Sequence, residues 1–396
     1  RPPDRSRRCV RRVKILHLSK FYPPDPGGLE HVVGRLAEGA AERGHEVRVV
    51  AATGSAWVRD PGKRVTEPPR RGVVVVRLPT HGVWWSQPFC PGYLAASRWP
   101  ADVVYVHHPH PLADLAVALG PRRPTIILHH SDVQRQRGVR VLYGPLARLV
   151  GRRASAVVVA TKSHLNHARD LGAAGRAKAR IIPFGVDVTR FAPGQPRSRP
   201  ACFPPPERGP VGLFVGRLVS YKGLDVLIRA VRGTGLNVVI AGGGPLRPEL
   251  EQWIAAAGVA DRVSLAGEVP NDALAGYYQA ADYVVLPSTT PAEMFGVTLL
   301  EAMACARPVV STALSTGVRE VNLADVTGLE TPPGNADALR AAMQRLADDA
   351  GLRSRLGVAG RAHVERHFTL AQMLDAHLAL CEQLAASPPP RAEIKA

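Results

Sequence analysis

Glu293 and Glu301 stand eight positions apart in TPAEMFGVTLLEAMACARPVV (290–310), a stretch that is otherwise apolar or small. Carboxylates in a segment that favours burial need partners. ADYVVLPS (281–288) reads as a buried strand, and Gly296 is placed to start a helix over VTLLEAMACA. Glu293 then precedes that helix and Glu301 lies more than one turn inside it. The amides around Phe295, Gly296, Val297 and Thr298 fall at the helix N-terminus, where unsatisfied N–H groups and the helix dipole favour an anion. One carboxylate would face a polyhydroxylated group before the anion, the other a second hydroxylated group beside it. That spacing suits a sugar, a diphosphate and a ribose in a row. Two other readings stay open: Glu293 as a favourable charge before the helix with Glu301 paired to a buried cation, and an acid/base couple of the glycoside-cleaving kind.

Other segments add chemistry at strand ends. VGRLVSYKGLDVLIRAV (215–231) sets Arg217 just past a strand and Lys222 at the start of a helix. Two permanent cations there would neutralise a diphosphate, one as a bidentate fork and one as a point charge, or be ordinary surface cations. PPDPGGLEH (23–31) joins the first strand to the first helix, and its Gly27 and Gly28 let backbone amides approach an anion, or simply make a tight turn. The run IAGGGPLRPEL (240–250) fails as a dinucleotide fingerprint, because Pro245 follows the glycines and Arg247 stands where the third glycine belongs.

Histidines gather near two strand ends, in VVYVHHPHPLADL (103–115) and IILHHSDVQRQ (126–136). A histidine at the carboxyl end of a strand, such as His130, suits hydrogen bonding to a substrate hydroxyl or a developing charge. Neighbouring residues of a strand point to opposite faces, so His107 with His108, or His129 with His130, do not share one ion easily. With no DxD anywhere in the chain, no metal is expected.

These loops need a scaffold of alternating strands and helices. Near-continuous Val/Ile/Leu runs at 13–19, 45–52, 72–79, 101–108, 124–130 and 154–161 are separated by helix-type stretches, the mark of a parallel sheet covered on both faces. The alternation stops at 181–210, where seven prolines fall between Pro193 and Pro210, and restarts at 211–218, 237–245, 262–269, 281–288 and 307–312. Two helical stretches, about 335–365 and 369–386, close the chain. The expected fold is α/β, two doubly wound domains facing a central cleft: a first domain over 13–190, a Pro-rich linker over 191–210, a second domain over 211–368, and a helix over 369–386 returning to the first domain. In such sheets ligands bind beyond the carboxyl ends of the strands.

The 396 residues suffice for two cores. The five cysteines form no CxxC pair, which argues against a disulfide framework or zinc site and points to the cytoplasm. The net charge of +18 is uneven: residues 1–200 carry 34 Lys and Arg against 13 Asp and Glu, residues 201–396 carry 17 against 20. The basic half fits an anionic surface or simple solubility; no nucleic-acid recognition motif accompanies it. RQRGVRVLYGPLARLVGRRA (135–154) is the candidate patch, as a membrane-facing or an ordinary exposed helix.

The block EMFGVTLLEAMACARPVV, which is specific, and the blocks FYPPDPGGLEHVVGRLAEGAAERGHEV, VGRLVSYKG, AGGGPLR, GEVPNDALAGYYQAADYVVLPS and IIPFGVDVTRF resemble those of the retaining GT-B glycosyltransferases of family 4, which carry an E-x7-E motif. The resemblance covers about residues 13–370, and HHPHPLADLA and HHSDVQRQ look closest to bacterial mannosyl- or rhamnosyltransferases of polysaccharide assembly. It implies that Gly27 and Gly28 approach the donor diphosphate or the acceptor, and that Arg217 and Lys222 bind the diphosphate leaving group. Glu293 would hydrogen-bond the donor sugar. Phe295, Gly296, Val297 and Thr298 would contact sugar and phosphate through their backbone, Glu301 would hold the ribose, and His130 would line the reaction centre. Ala306 and Phe184 depart from the pattern, which usually has Gly and a Pro-Asn-Gly turn there.

The implied activity is a retaining hexosyltransferase that moves mannose or a similar sugar from a GDP- or UDP-linked donor to a lipid-linked or glycan acceptor. No cofactor or metal and no nucleic-acid partner is expected. The expected location is the cytoplasm, or the inner face of the cell membrane through the basic half. The rivals are an inactive nucleotide-sugar-binding protein and a nucleotide-dependent oxidoreductase.

Overall fold

The structure is a computed structural model that describes residues 11–25, 28–54, 60–84, 87–130, 137–194 and 199–386. Gly27, Ser131 and Asp132 lie outside them. The chain forms two compact units, residues 1–182 with 374–396, and residues 183–373.

In the first unit the strands are β1 (Lys14–Leu18), β2 (Glu46–Ala52), β3 (Val65–Thr66), β4 (Val73–Leu78), the hairpin β5 (Val83–Trp84) and β6 (Gln87–Pro88), β7 (Val103–His108), β8 (Thr125–His129), β9 (Ala156–Val159) and β10 (Ala179–Ile181). Its helices are α1 (Gly28–Glu42), α2 (Tyr93–Ala96), α3 (Pro111–Leu119), α4 (Arg137–Arg153), α5 (Lys162–His167) and α6 (Gly172–Arg176). The main sheet runs β10-β9-β8-β7-β1-β2-β4-β3 and is parallel except for β3 on β4. Every residue of β7 and β8 is buried, as the unbroken apolar runs require of strands covered on both faces. The sheet grows outward in both directions from β1, so the carboxyl ends of β1 and β7 flank a switch of direction.

The second unit holds β11 (Val211–Val215), β12 (Asn237–Ala241), β13 (Val263–Gly267), β14 (Tyr283–Leu286), β15 (Val309–Thr312) and β16 (Gly328–Thr331). Around them lie α7 (Leu224–Val231), α8 (Arg247–Ala257), α9 (Leu274–Ala280), α10 (Val297–Ala304), α11 (Val318–Val321), α12 (Ala336–Asp348) and α13 (Ala350–His367). The order β13-β12-β11-β14-β15-β16 is wholly parallel, with its switch of direction between β11 and β14. Phe214, Leu227, Val238, Ile240, Tyr283, Val310, Met343 and Leu356 centre the core. Both sheets are Rossmann-like, as the β/α alternation indicates.

Two local differences from the sequence reading have physical causes. The helical stretch at 335–365 is two helices, because Asp349 ends α12 and its carboxylate caps α13 by accepting from Leu352 N at 2.8 Å. Part of the Pro-rich stretch packs on the second unit, with Phe203 buried edge-on against Tyr277 at 5.8 Å. The last helix, α14 (Leu370–Ala386), has its residues from 374 onward in the first unit, where His377 meets Tyr105 and Asp375 pairs with Arg43 at 3.1 Å.

Candidate functional site

In the second unit the loops after β11, β12 and β14 abut at the carboxyl edge of the sheet. Gly242 shows how closely: a Cβ added there would lie 1.9 Å from the carbonyl oxygen of Gly216, so only glycine allows the two turns to touch. The turn after β11 carries Arg217, which is exposed, and a short 3-10 turn (Ser220–Lys222) that points Lys222 inward. The loop after β14 carries Glu293. The two meet at the switch point, Lys222 Nζ to Glu293 Oε2 at 2.5 Å, with only 7% and 8% of each residue exposed. Ser288 Oγ donates to the same carboxylate oxygen at 2.9 Å. Thr316 Oγ1 donates to the Glu293 carbonyl at 2.8 Å and Gly317 N to that of Met294 at 2.9 Å, so the loop is held from behind. Burial alone would lower the Lys222 pKa, but the Glu293 carboxylate, with Tyr221, outweighs it and the pKa is raised. Lys222 is a fixed ammonium.

Gly296 adopts φ 78° and begins α10, with no side chain capping it. The N-terminal turn of α10 therefore keeps its donors from side-chain caps, an arrangement that receives anions. Phe295 is buried, edge-on to Phe184 at 5.1 Å and to Phe368 at 6.1 Å, while Val297 and Thr298 are half-buried. Glu301 accepts from Tyr278 OH at 2.6 Å. Burial, then the neighbouring Glu301, raises the Tyr278 pKa well above its ordinary value, so the phenol remains a donor. The two carboxylates thus have separate partners.

In the first unit His130 follows β8, half-buried, its amide donating to His108 O at 3.0 Å. The alternation of strand faces separates two histidine groups. On one face His17, His107 and His130 follow one another, His17 Nδ1 to His107 Nε2 at 3.1 Å and His107 Nδ1 to His130 Nε2 at 3.3 Å. On the other, His129 Nδ1 meets His164 Nε2 at 3.0 Å, and His108 meets Asp114 at 3.2 Å, where Tyr143 also donates to the Asp114 carboxylate. Among the described residues no group of three or more His, Cys, Asp or Glu could hold a metal ion.

The loop after β1 is fixed by a residue the sequence reading did not single out. Arg77 of β4 sends all three guanidinium nitrogens to acceptors: Nη1 to Asp25 Oδ2 at 2.8 Å, Nη2 to Pro23 O at 2.8 Å and Nε to Glu67 at 2.7 Å. Gly28 is exposed and starts α1. A lone Arg inside VVVVRL was the available signal, since an arginine in a buried strand needs acceptors. Ser288, Thr316 and Tyr278 were missed as well; nothing in their spacing marks them. On α4, Arg148 and Arg152 are exposed beside a groove of about 240 Å³, whereas Arg153 donates to Gly120 O at 3.0 Å. No helix among the described residues is long and apolar enough to cross a membrane.

Residues 26–190 match the Glycosyltransferase Family 4 domain and residues 201–363 the domain described as Glycosyl transferases group 1. A D-rhamnosyltransferase of Pseudomonas aeruginosa, WbpZ, is 31% identical over 90% of this chain and 92% of its own length. The O-antigen chain mannosyltransferase C of Escherichia coli is 30% identical over 95% of this chain and all of its own. Among solved structures, a sucrose-phosphate synthase from Thermosynechococcus elongatus superimposes with a TM-score of 0.80, at 23% identity over 95% of this chain and 100% of that one. Anabaena HepE in complex with UDP-glucose does so with 0.74, at 19% identity over 95% and 100%. At these identities the two structures speak for the fold.

Proposed function

This chain belongs to the group 1 and family 4 glycosyltransferases, and on that premise we propose that it transfers a hexose, mannose or a similar sugar, with retention, from a GDP- or UDP-linked donor to a hydroxyl of a lipid-linked or polysaccharide acceptor. The observation that carries the donor site is the buried Lys222–Glu293 pair beside the uncapped start of α10, at the switch point of the second sheet. The rhamnosyl- and mannosyltransferase relatives support the sugar class, and the UDP-glucose held by HepE supports a nucleoside diphosphate.

In the proposed reaction the bond from the anomeric carbon to the diphosphate oxygen breaks, and a bond to the acceptor oxygen forms on the same face. The barrier is charge separation between an oxocarbenium-like sugar and a departing diphosphate. Arg217, Lys222 and the α10 amides of Gly296, Val297 and Thr298 stabilise the departing charge. Glu293 orients the sugar, Glu301 holds the ribose hydroxyls and His130 lines the reaction centre. Gly27 and Gly28 serve the diphosphate or the acceptor. No side chain in these motifs is placed as a nucleophile, so the acceptor proton passes to the leaving phosphate. This reading assigns charge neutralisation to protein groups and needs no metal or organic cofactor. Arg148 and Arg152, on the basic half, would hold the enzyme at the anionic inner face of the cell membrane.

The test is a screen of GDP- and UDP-sugars for hydrolysis and transfer by the purified protein, alongside Glu293→Gln. We expect turnover with one hexose donor and a loss of roughly 100-fold or more in the variant. Wild-type turnover in Glu293→Gln would overturn the site assignment.

A further inference from the structure

The run IAGGGPL (240–246), which fails as a dinucleotide fingerprint, uses its three glycines for different contacts. A Cβ on Gly242 would lie 1.9 Å from the carbonyl oxygen of Gly216, and one on Gly244 would lie 2.5 Å from that of Leu218. Both glycines let the turn after β12 press onto the turn that carries Arg217. Gly243 meets a side chain instead. A Cβ there would lie 2.3 Å from Glu268 Oε1 and 2.6 Å from Glu268 Cγ, so the glycine is the seat on which Glu268 lies. We propose that Glu268 selects the nucleobase of the donor, and that its carboxylate takes guanine. The inference rests on the nucleoside diphosphate site proposed above, and it narrows the donor from GDP- or UDP-linked to GDP-linked.

The backbone aims this carboxylate. β13 pairs with β12 in register as far as Leu265 with Ile240, then skips a residue, so that Gly267 stands opposite Ala241. Such a bulge reverses the faces taken by the residues that follow it. Gly267 adopts φ 72°, and its carbonyl accepts from Gly242 N at 2.7 Å, which fixes the turn. Glu268 therefore leaves the strand lying over the Gly-rich turn, at the carboxyl edge of the sheet.

The place suits a base. β13 lies two strands, roughly 10 Å, outward from β11. Phosphates held at Arg217 and Lys222 leave the nucleoside to extend along the same edge. Glu301, the proposed ribose group, bonds to Tyr278 of α9, the helix into which the Glu268 loop leads. Ribose and base sites thus follow one path away from the switch point.

The chemistry selects which base. Glu268 is exposed, and among the described residues no hydrogen bond or ion pair engages its carboxylate. Arg247 passes close by, its Nη1 3.6 Å from where a Cβ on Gly267 would stand, but it gives its Nε to Glu251 at 2.9 Å. An ionised carboxylate accepts hydrogen bonds and donates none. Guanine carries two adjacent donors on its Watson–Crick edge, N1–H and the 2-amino group, and one carboxylate accepts both. Uracil has a single N–H between two carbonyl oxygens that a carboxylate repels. Adenine and cytosine set an acceptor nitrogen beside the amino group. Guanine alone satisfies both oxygens.

The test measures, by calorimetry on the full chain, the affinities of GDP, UDP and IDP, the inosine analogue that lacks only the 2-amino group. Wild type is compared with Glu268→Gln, an exposed and nearly isosteric change. In wild type GDP should bind at least about tenfold more tightly than UDP and about tenfold more tightly than IDP, the size of one hydrogen bond to a charged group. In Glu268→Gln both ratios should shrink to within about threefold, through weaker GDP binding with UDP no worse, because an amide presents only one acceptor. Equal affinity for GDP and UDP in wild type, or a GDP-to-IDP ratio unchanged in Glu268→Gln, overturns the proposal. Binding of neither GDP nor UDP would defeat the donor-site reading itself, and this inference with it.

Discussion

Lys222 and Glu293 were read from the sequence as two separate ligands, one for a phosphate and one for a sugar. In the structure they hold each other, and this alters what a substitution reports. Removing one partner of a buried ion pair leaves an uncompensated charge and costs about 3–5 kcal/mol, so a loss of activity in Lys222→Ala would mix chemistry with damage to the fold. The pair Lys222→Met with Glu293→Gln removes both charges at nearly constant volume. Chemical denaturation should show Glu293→Gln alone destabilised by roughly 3 kcal/mol and the double variant restored to within about 1 kcal/mol of wild type, with transfer absent in both. Restored transfer in the double variant would show that the pair is only structural. The carboxylate, the glycine and the lysine were legible because each sits where a helix or strand must end. Their contact was not, because it joins positions 71 apart and depends on β11 lying beside β14. Arg77, and the contacts among the histidines that the sequence did mark, escaped for the same reason: periodicity tells which face a residue takes, not which strand lies next to it.

At the scale of the element, α10 is the informative case. The sequence placed its start correctly at Gly296, and the helix ends at Ala304 with Cys305 as its cap. The next residue, Ala306, has φ 56°, the left-handed conformation that commonly closes a helix and that costs a residue with a Cβ about 1–2 kcal/mol. The departure from glycine noticed in the sequence is therefore carried as backbone strain. Ala306→Gly should raise stability by about 0.5–1 kcal/mol, after the extra chain entropy glycine gives the unfolded state, and leave kcat unchanged. Thermal unfolding checks this, and a lower midpoint would mean that the Ala306 methyl makes packing contacts outweighing the strain. Elsewhere the strands with unbroken Val/Ile runs were legible, and the short ones at 65–66, 179–181 and 328–331 were not. Those three read VT, ARI and GLET, with no run of Val, Ile or Leu to mark them.

At the scale of the whole molecule, charge asymmetry was plain in the composition, but composition does not say which cations are free. Arg153 is engaged with a backbone carbonyl, whereas Arg148 and Arg152 are exposed one turn apart on α4. Each surface arginine contributes about 1 kcal/mol to binding an anionic bilayer. Arg148→Glu with Arg152→Glu should therefore weaken binding to phosphatidylglycerol vesicles by at least about 30-fold and leave binding to phosphatidylcholine vesicles as it was. Unchanged sedimentation with the anionic vesicles would reject the membrane proposal. The two-domain class and the doubly wound sheets followed from the order of strands and helices alone. The division at residue 182 did not, because chain order carries no record of where one core stops and the next begins.

The placement of α14 bears on how the protein is made. A ribosome releases residues in order, and residues 183–373 form one continuous unit that has all its parts once they emerge. The first unit begins earlier and finishes later. Until residues 374–386 arrive, Tyr105 lacks its partners His377 and Cys381, and the apolar seat of Leu374 and Leu378 stands open to water. The domain synthesised first thus spends most of translation unfinished, and a nascent chain halted before its last helix would be a natural client for chaperones.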